Sequence, residues 1–374
     1  MKEEKRCIFH IPNNVNLANK SGSNIRPLKM IEGFKQNGYI VDVVMGYAKD
    51  RKKQIKEIKQ NIKKGIKYDF IYSESSTMPT LLTEKKHFPT HPFLDFNFIM
   101  YCRKNSMKVG LFYRDIHWKF DHYKNNVTIW KRLVSSLFYK YDLYKYRKIV
   151  DYLYLPSGEV EKFLPCKNRN NVKYKIGILP PGSDNIDVQE YRHNKETNKL
   201  NVFYVGGISK EVYNFEKLLE VISNEENISF TICCREKEWE KMKNKYSKYL
   251  NDNIKIIHES GEKLNKYYKE ADACSLLFDE NDYMKIAMPV KLFEYLSHNK
   301  PIIATKGTVA GEFVSKNKIG WTINYSYDDI KNILELLKNK QDEIENVRKH
   351  QLETIKNNTW KVRANTVIND LITN

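Results

Sequence analysis

Short apolar runs alternate with longer amphipathic stretches along the whole chain, and this alternation limits the fold more than any other feature. Runs of about four to eight residues rich in Val, Ile, Phe and Tyr are typical of buried strands, and the stretches between them have helical spacing. The predicted strands are RCIFHIP, YIVDVVMG, YDFIYSES, MKVGLFYRDI, DYLYLPS and a run ending in IGILPPG, followed by LNVFYVGG, ISFTICC, IKIIHES, ACSLLF, PIIAT and WTINY. This order predicts an α/β protein with parallel sheets.

The alternation is interrupted once, over residues 184–200, which are polar and lack apolar periodicity. Because 374 residues exceed one typical domain, we predict two Rossmann-like, doubly wound domains, over 1–183 and 201–356, joined by this linker. The segment 357–374 is predicted to be one more amphipathic helix. Ligands of open α/β sheets bind outside the C-terminal strand ends, so two domains facing one another across these edges would form a deep polar cleft.

Residues 283–305, YMKIAMPVKLFEYLSHNKPIIAT, contain the most informative helix. Pro289 suits the first helical turn, and Asn299 tolerates the left-handed conformation that ends helices. Lys291 and Glu294, three residues apart, share one face. The free amides of such a helix start bind phosphate, and a carboxylate one turn later reaches sugar hydroxyls. A surface Lys-Glu pair is the alternative interpretation.

Two strand ends in the second half carry further candidates for phosphate binding. Gly206 and Gly207 follow a predicted strand, and Lys210 comes just after them, where it could neutralise a diphosphate. Arg235 directly follows the strand TICC, where its planar fork could meet a phosphate or a base. A solvated loop lysine is the alternative for Lys210.

The first half has two corresponding regions. Gly22 and Ser23 are predicted to lie in a small-residue loop before a helix that ends near Gly38, where a ligand could approach the backbone closely. The loop lacks the spacing of a dinucleotide fingerprint or a P-loop, which disfavours NAD and ATP. Asp115 and His117 follow another strand, and either could take a proton from an attacking hydroxyl. A plain βα turn and a structural ion pair are the respective alternatives.

The chain has a formal charge of +18, which fits nucleic acid, an anionic membrane surface or phosphorylated substrates. No nucleic-acid-binding motif is recognisable, so nucleic acid is not expected as a partner. The N-terminus has no apolar signal region, and no stretch approaches about 20 apolar residues, so a cytoplasmic protein is expected.

The segment 130–157 mixes Lys and Arg with Trp, Phe and Tyr at helical intervals. Such a helix could lie on a membrane interface, with its aromatic side chains in the headgroup layer and its cations toward anionic lipid. The alternative is an ordinary amphipathic helix whose Leu133, Leu137, Tyr141 and Tyr144 pack on a sheet.

Together these motifs resemble those of the retaining GT-B glycosyltransferases, in particular the family 4-like bacterial group that builds capsular, lipopolysaccharide and wall polysaccharides from nucleotide diphosphate sugars. The resemblance covers nearly the whole chain, through SGSNIRP, YLPS, ILPPG, VGG and, most specifically, MPVKLFEYLSHNKPIIAT. It implies that Glu294 hydrogen-bonds the donor ribose and that amides around Met288, Pro289 and Val290 contact the diphosphate. It also implies that the terminal helix crosses back to the first domain.

Two positions depart from this family pattern. Many members carry another glutamate eight residues before the ribose-binding one, but this chain has Ile286 there. An arginine is usual between the second-domain glycines and the lysine, but Ile208 stands near that place. The hypothesis is that Arg235 or Lys291 supplies the missing positive charge.

The resulting prediction is a hexosyltransferase that moves a sugar from a nucleotide diphosphate sugar, with UDP as the expected nucleotide, to a hydroxyl of an acceptor, with retention implied by the resemblance. The expected acceptor is a glycan or lipid-linked saccharide at the inner face of the cell membrane, which would make the enzyme peripheral there. No cofactor or metal is expected, because cationic side chains and helix N-termini can stabilise the leaving diphosphate. The predicted site residues are Asp115 and His117 for catalysis, Gly206, Gly207, Lys210, Arg235, Met288, Pro289, Val290, Lys291 and Glu294 for the donor, and Gly22, Ser23, Asn24, Arg26, Glu74 and Arg114 for the acceptor.

Two alternatives remain open. One is a nucleotide-sugar epimerase of the same fold, which would act on its donor without an acceptor. The other is a non-catalytic subunit that partners another transferase, a possibility that the missing glutamate at position 286 keeps open.

Overall fold

The computed structural model describes residues 4–15, 22–165, 174–185, 199–209, 212–279 and 281–373. It divides the chain into two compact units: residues 1–182 with 360–374, and residues 183–359. Most of the predicted linker, residues 186–198, lies outside the described residues.

The first unit contains a parallel six-stranded sheet in the order β2-β1-β3-β4-β5-β6. Its strands are β1 (Arg6–His10), β2 (Ile40–Val44), β3 (Phe70–Glu74), β4 (Lys108–Phe112), β5 (Tyr152–Leu155) and β6 (Lys175–Ile178). Its helices are α1 (Gly22–Gln36), α2 (Ala48–Lys63), α3 (Leu94–Lys104), α4 (Asp121–Asn126), α5 (Ile129–Ile149) and, from the chain's end, α14 (Trp360–Ile372).

The second unit contains another parallel six-stranded sheet, in the order β12-β11-β10-β7-β8-β9. Its strands are β7 (Leu200–Val205), β8 (Ile228–Cys233), β9 (Ile254–Ile257), β10 (Ala273–Leu276), β11 (Ile302–Thr305) and β12 (Gly320–Ile323). Its helices are α6 (Glu216–Ser223), α7 (Glu236–Tyr246), α8 (Asn265–Glu270), α9 (Asp282–Ile286), α10 (Val290–Ser297), α11 (Val309–Lys316), α12 (Tyr327–Asn339) and α13 (Gln341–Lys356).

These two sheets confirm the predicted α/β class and all twelve predicted strands. The strand order reverses direction between β1 and β3 in the first unit and between β7 and β10 in the second. At such a switch point the loops leave the two strands toward opposite faces, which opens a crevice at the C-terminal edge of the sheet. Each unit therefore has one favoured place for a ligand.

Helix α14 packs against α1 in the first unit. The contact requires a glycine at position 33, because an added Cβ there would lie 2.6 Å from the backbone oxygen of Trp360. Helix α1 begins at Gly22, so the prediction that Gly22 and Ser23 lie in a loop was wrong. The first amides of a helix need no intrahelical acceptor, and small residues are therefore tolerated in its first turn. The predicted end near Gly38 is confirmed by its positive φ of 84°.

The exposed side of α5 differs from the packed arrangement considered for residues 130–157. Leu133 is 50% exposed, Leu137 is 65% exposed and Tyr144 is 52% exposed, so these side chains do not pack on the sheet. Helix α5 instead buries Ser135, Tyr139, Asp142, Leu143, Tyr146 and Ile149. Periodicity showed that the helix has two faces, but its neighbours α3 and the segment Thr80–Leu82 decide which face is covered. Among the described helices, none combines the length and the apolarity needed to cross a bilayer.

Candidate functional site

Helix α10 occupies the place that the sequence predicted. Pro289 is its cap residue and has extended backbone, so its missing N–H removes no helical hydrogen bond. Asn299 has a φ of 50°, the left-handed conformation that ends the helix. Phe293 and Leu296 are fully buried, which leaves the opposite face of α10 for polar side chains.

Tyr295 fixes α10 against the switch point of the second unit. Its hydroxyl accepts a hydrogen bond from the backbone N–H of Val205 at 3.2 Å. The same hydroxyl donates to the backbone oxygen of Ser275 at 3.3 Å. Since Val205 ends β7 and Ser275 lies in β10, one tyrosine ties the helix to both strands that flank the crevice.

Lys291 points across this crevice from the first turn of α10. Its Nζ lies 4.1 Å from the ring centre of Tyr204 and 4.0 Å from that of Tyr213. It also donates a hydrogen bond to the Tyr204 hydroxyl. The two aromatic faces attract the cation and restrict its position, so Lys291 is held at one location rather than extended into solvent.

Gly206 leaves room for that lysine. Its φ of 142° is a conformation that side-chain-bearing residues rarely adopt, and an added Cβ would lie 2.5 Å from Lys291 Nζ. Glycine is therefore required here both by the backbone and by the approach of Lys291.

Glu294 lies one turn after Lys291 and is partly buried. Burial raises the pKa of its carboxyl group, while the Tyr268 hydroxyl and the charge of Lys291 oppose that rise. Burial also lowers the pKa of Lys291 to about 7, and Glu294 opposes that shift. The two opposite charges thus stabilise each other although both groups are partly shielded from water. Such paired, partly buried charges are typical of sites that bind polar ligands.

The remaining predicted donor residues surround this centre in different ways. Arg235 caps α7, is 58% exposed and forms an ion pair with Glu238 at 2.7 Å. Its Nη2 would lie 3.4 Å from a Cβ added at Gly207. Met288 is partly buried against the core below α10. Lys210 lies outside the described residues.

Three of the predicted acceptor residues, Arg26, Glu74 and Arg114, form a buried ionic cluster beside the switch point of the first unit. Glu74, at the end of β3, is fully buried. Its Oε1 accepts from Arg26 Nε at 3.2 Å and from the Tyr72 hydroxyl at 3.1 Å, and its Oε2 accepts from Arg114 Nη2 at 2.7 Å. Direct contact between Glu74 and an acceptor is therefore disfavoured, and the geometry makes it a positioning residue for two arginines. Asn24 is also buried, on α1.

Asp115 and His117 lie close together after β4. Asp115 Oδ1 accepts from the backbone N–H of His117 at 2.9 Å, and its Oδ2 lies 3.3 Å from His117 Nδ1. The imidazole has Tyr123 and Tyr139 edge-on at ring-centre distances of 5.2 and 6.0 Å. Both side chains remain about one-fifth exposed, so the pair is locally ordered yet accessible.

Comparison with solved structures identifies the architecture. The chain superposes on sucrose-phosphate synthase from Thermosynechococcus elongatus with a TM-score of 0.65 and 14% identity, covering 97% of each chain. It superposes on HepE from Anabaena, solved with UDP-glucose, with a TM-score of 0.62 and 10% identity, covering 98% of this chain and 99% of that one. A glycosyltransferase from Rickettsia africae gives a TM-score of 0.64 at 14% identity, over 99% of both chains. At these identities, the likeness establishes the fold.

The second unit also matches a known family. Residues 185–357 match the model of the glycosyl transferases group 1 family. The chain therefore has the GT-B fold, and its second unit matches the glycosyl transferases group 1 family. No curated protein matches its sequence. The stretch that matches the glycosyl transferase model includes α10 with Lys291 and Glu294, and Gly206 before them.

Sequence reasoning missed several residues around the candidate site of the second unit. Tyr204 and Tyr213 enclose Lys291, and His298 stacks on Tyr268 at a ring-centre distance of 3.7 Å. Alternation along β7 predicts that Tyr204 faces one side of the sheet, but it cannot show which distant lysine meets it. No group of three or more His, Cys, Asp or Glu side chains suited to a metal occurs among the described residues; metal independence stays a prediction.

Proposed function

We propose that this protein is a glycosyltransferase that takes a UDP-sugar as its donor and holds it mainly in the second unit. The observation that carries the proposal is the position of Lys291 and Glu294 on one face of α10, next to Gly206 at the switch point. In this arrangement the α10 amides and Lys291 bind the diphosphate, and the Glu294 carboxylate accepts hydrogen bonds from the ribose hydroxyls. Structurally similar HepE has been solved with UDP-glucose and with UDP and glucose, which supports the choice of nucleotide.

The acceptor is proposed to bind the first unit, near Asp115 and His117. Asp115 Oδ2 lies beside His117 Nδ1, so the imidazole or the carboxylate can hold the proton that leaves the attacking hydroxyl. Lys291, Arg235 and the N-terminus of α10 stabilise the diphosphate as it leaves. We further propose that the sugar is transferred with retention of configuration.

We propose that the acceptor is a lipid-linked saccharide and that the enzyme reaches it by lying on an anionic membrane surface. The N-terminal half of α5 exposes an apolar patch made of Ile129, Trp130, Leu133, Val134 and Leu137. These side chains are 46 to 80% exposed, with Trp130 the most. Exposed Lys131 and Lys140 border the patch, the combination that favours an interfacial position over a fully aqueous one.

A basic groove on the same unit supports this orientation. It lies between α2 and α3, has a volume of about 600 Å³, and is lined by Ile55, Leu94 and Tyr101 together with Lys52, Lys56, Lys59 and Lys63. Helix α3 packs against both α2 and α5. Each cation near an anionic leaflet adds about 1 kcal/mol of attraction, so the α2 lysines would add to the affinity of this unit for an anionic surface.

The nucleotide is tested by thermal unfolding with UDP, GDP, CMP and dTDP and their common sugar conjugates. A ligand at one hundred times its Kd stabilises the folded state by about 2.7 kcal/mol, which corresponds to a Tm rise of roughly 5 °C in a unit of this size. We expect UDP and one UDP-sugar to give this shift. Absence of a shift with every nucleotide contradicts the donor proposal.

Product analysis separates the two alternatives from transfer. Position 286, eight residues before Glu294, holds a buried isoleucine instead of a carboxylate. A non-catalytic subunit would bind UDP but turn over no acceptor. An epimerase would convert its UDP-sugar fully without acceptor, whereas a transferase consumes donor rapidly only when an acceptor is present.

The binding of UDP should depend on pH through Lys291. Burial lowers the pKa of this amine to about 7, and a bound diphosphate raises it again because it favours the charged form. UDP should therefore take up a proton as it binds above pH 7, and its affinity should fall roughly tenfold between pH 7 and pH 8.5. Calorimetric titration in two buffers of different ionisation enthalpy measures this uptake.

Two variants make the pH test specific. Arg keeps its charge throughout this range, so Lys291→Arg should bind UDP with little pH dependence. Lys285→Ala, which removes a half-exposed lysine of α9, should keep the wild-type profile. A wild-type affinity that stays constant from pH 7 to pH 8.5 rules out Lys291 as the phosphate ligand.

A further inference from the structure

Arg26 in the first unit has an unusual hydrogen-bond inventory. Its side chain is only 3% exposed, and its Nε donates to Glu74. Its two Nη groups are buried, yet neither has a hydrogen-bond partner in the described part of the chain. Leaving charged N–H groups buried and unpaired is costly, and native structures rarely do so without a reason.

Aromatic contacts position the Arg26 guanidinium without satisfying those donors. Its Cζ lies 3.5 Å above the ring centre of Phe112 and 5.8 Å from that of Trp360. Such stacking stabilises the planar faces of the group, whereas the Nη hydrogens lie in its plane. The aromatic rings thus orient the Arg26 guanidinium, while its Nη N–H groups remain available as hydrogen-bond donors.

Two more arginines stand near Arg26. Arg114 donates to Glu74 and to the backbone oxygen of Ser75, and Arg363 of α14 donates to the backbone oxygen of Pro181 at 3.1 Å. Burial and the charge of Arg26 lower the pKa of Arg363 to about 10. Burial is also the main cause that lowers the pKa of Arg114, and Arg26 adds to it although Glu74 and Asp115 oppose it. Three guanidinium groups thus face two carboxylates, and positive charge is in excess.

The cluster lies where the fold places ligands. Glu74 ends β3, Phe112 ends β4, and Arg26 comes from the first two turns of α1, which follows β1. These elements meet at the C-terminal edge beside the β1/β3 switch point. A ligand here meets planar, fixed donors suited to two-oxygen contacts.

We propose that the first unit holds an anionic oxygen group of the acceptor, a phosphate or a carboxylate, on the two Nη groups of Arg26, with Arg114 and Arg363 adding positive charge. This inference rests on the proposed function and narrows the acceptor to an anionic one. Glu74 acts as a positioning residue, because it holds Arg26 and Arg114 by their other donors. The anion supplies the missing hydrogen bonds and balances the excess charge.

The test is thermal unfolding of the full chain with inorganic phosphate or acetate, against chloride at equal ionic strength. Saturating UDP is present throughout, so that its diphosphate occupies the donor site. We expect one of the two anions at about 20 mM to raise the wild-type Tm by about 3 °C. A shift with phosphate indicates an acceptor that carries a phosphate. A shift with acetate indicates an acceptor that carries a carboxylate.

Matched variants separate this site from general salt effects, since phosphate also stabilises proteins by exclusion from their surfaces. Arg26→Gln should lose the shift, and Arg103→Gln, which removes a partly exposed arginine paired with Asp151 on the same unit, should keep it. Arg363→Gln should weaken the shift at least threefold. This variant tests the site if Arg26→Gln does not fold. Equal shifts in all variants, or no shift in the wild type, overturn the proposal. The UDP-induced shift, measured separately in each variant, tests the donor proposal independently.

Discussion

Replacing Glu294 with alanine is expected to reduce kcat/KM for the UDP-sugar by about a hundredfold and to remove most of the stabilisation by UDP. Hydrogen bonds to a charged group contribute about 1.5 to 3 kcal/mol each, and a carboxylate that holds a ribose diol makes two. A loss of about 3 kcal/mol corresponds to about a hundredfold change. Initial rates at low donor concentration and UDP titration by calorimetry measure the two effects.

The electrostatic coupling on α10 adds a second consequence. Glu294 opposes the burial that lowers the pKa of Lys291, so its removal lowers that pKa further and leaves the lysine less charged at neutral pH. Glu294→Gln keeps the shape of the side chain and removes its charge, so it tests this electrostatic effect on Lys291. The UDP affinity of this variant should begin to fall at a lower pH than that of the wild type.

Glu353→Gln is the matched control, since Glu353 is 72% exposed on α13 and its ion pair with Lys356 lies at the surface. It should keep wild-type rates and UDP affinity. Wild-type UDP binding by Glu294→Ala contradicts the assignment of the ribose contact. Reduced binding accompanied by a large fall in the Tm of the free protein points instead to a structural role for the carboxylate.

The triple change Trp130→Ser, Leu133→Ser and Leu137→Ser is expected to abolish binding to anionic vesicles. Fully burying such a side chain is worth about 1.5 to 3 kcal/mol, so loss of three partial insertions lowers the partition coefficient by at least about a hundredfold. Co-sedimentation with vesicles of phosphatidylcholine and one-third phosphatidylglycerol measures it. These side chains are half or more exposed, so the Tm of the variant should stay close to that of the wild type.

The charges of α5 are tested separately from its apolar patch. Neutralising Lys140, Lys145, Arg147 and Lys148 should weaken binding to anionic vesicles and make the remaining binding insensitive to salt. Tyr327→Ser, on the second unit, changes a side chain that is 46% exposed and should bind vesicles like the wild type.

Two results contradict the membrane proposal. In one, vesicle binding is unchanged in the triple variant. In the other, the wild type is a dimer without affinity for vesicles and the triple variant is a monomer, which assigns the patch on α5 to a second copy of the chain.

The local features of the fold were predictable because they depend on neighbours in the sequence. Apolar runs with period two or continuous burial predicted all twelve strands, and the helical spacing of most connecting stretches predicted the helices between them. Pro289 and Asn299 defined α10 because proline restricts φ and asparagine tolerates the left-handed region. The shared face of Lys291 and Glu294 followed from helical geometry alone.

Contacts between distant segments were decided only by the tertiary structure. Tyr204 and Tyr213 meet Lys291 from segments about 80 to 90 residues away, and no local pattern encodes which side chain a sheet position will face. The same holds for Arg26, whose ring neighbours Phe112 and Trp360 come from β4 and the last helix.

The amphipathic sequence of α5 determined that this helix has an apolar side but not what covers it. Its N-terminal apolar residues stay exposed because α3 and the segment Thr80–Leu82 pack on its other side. Side-chain chemistry and short-range spacing can be read directly from the residues. The strands, α10 and the Lys291–Glu294 pair were therefore predictable from the sequence. Burial, the excess of arginine charge and the low pKa of Lys291 arise only when separate segments exclude water from one another, and the tertiary structure alone decides where that happens.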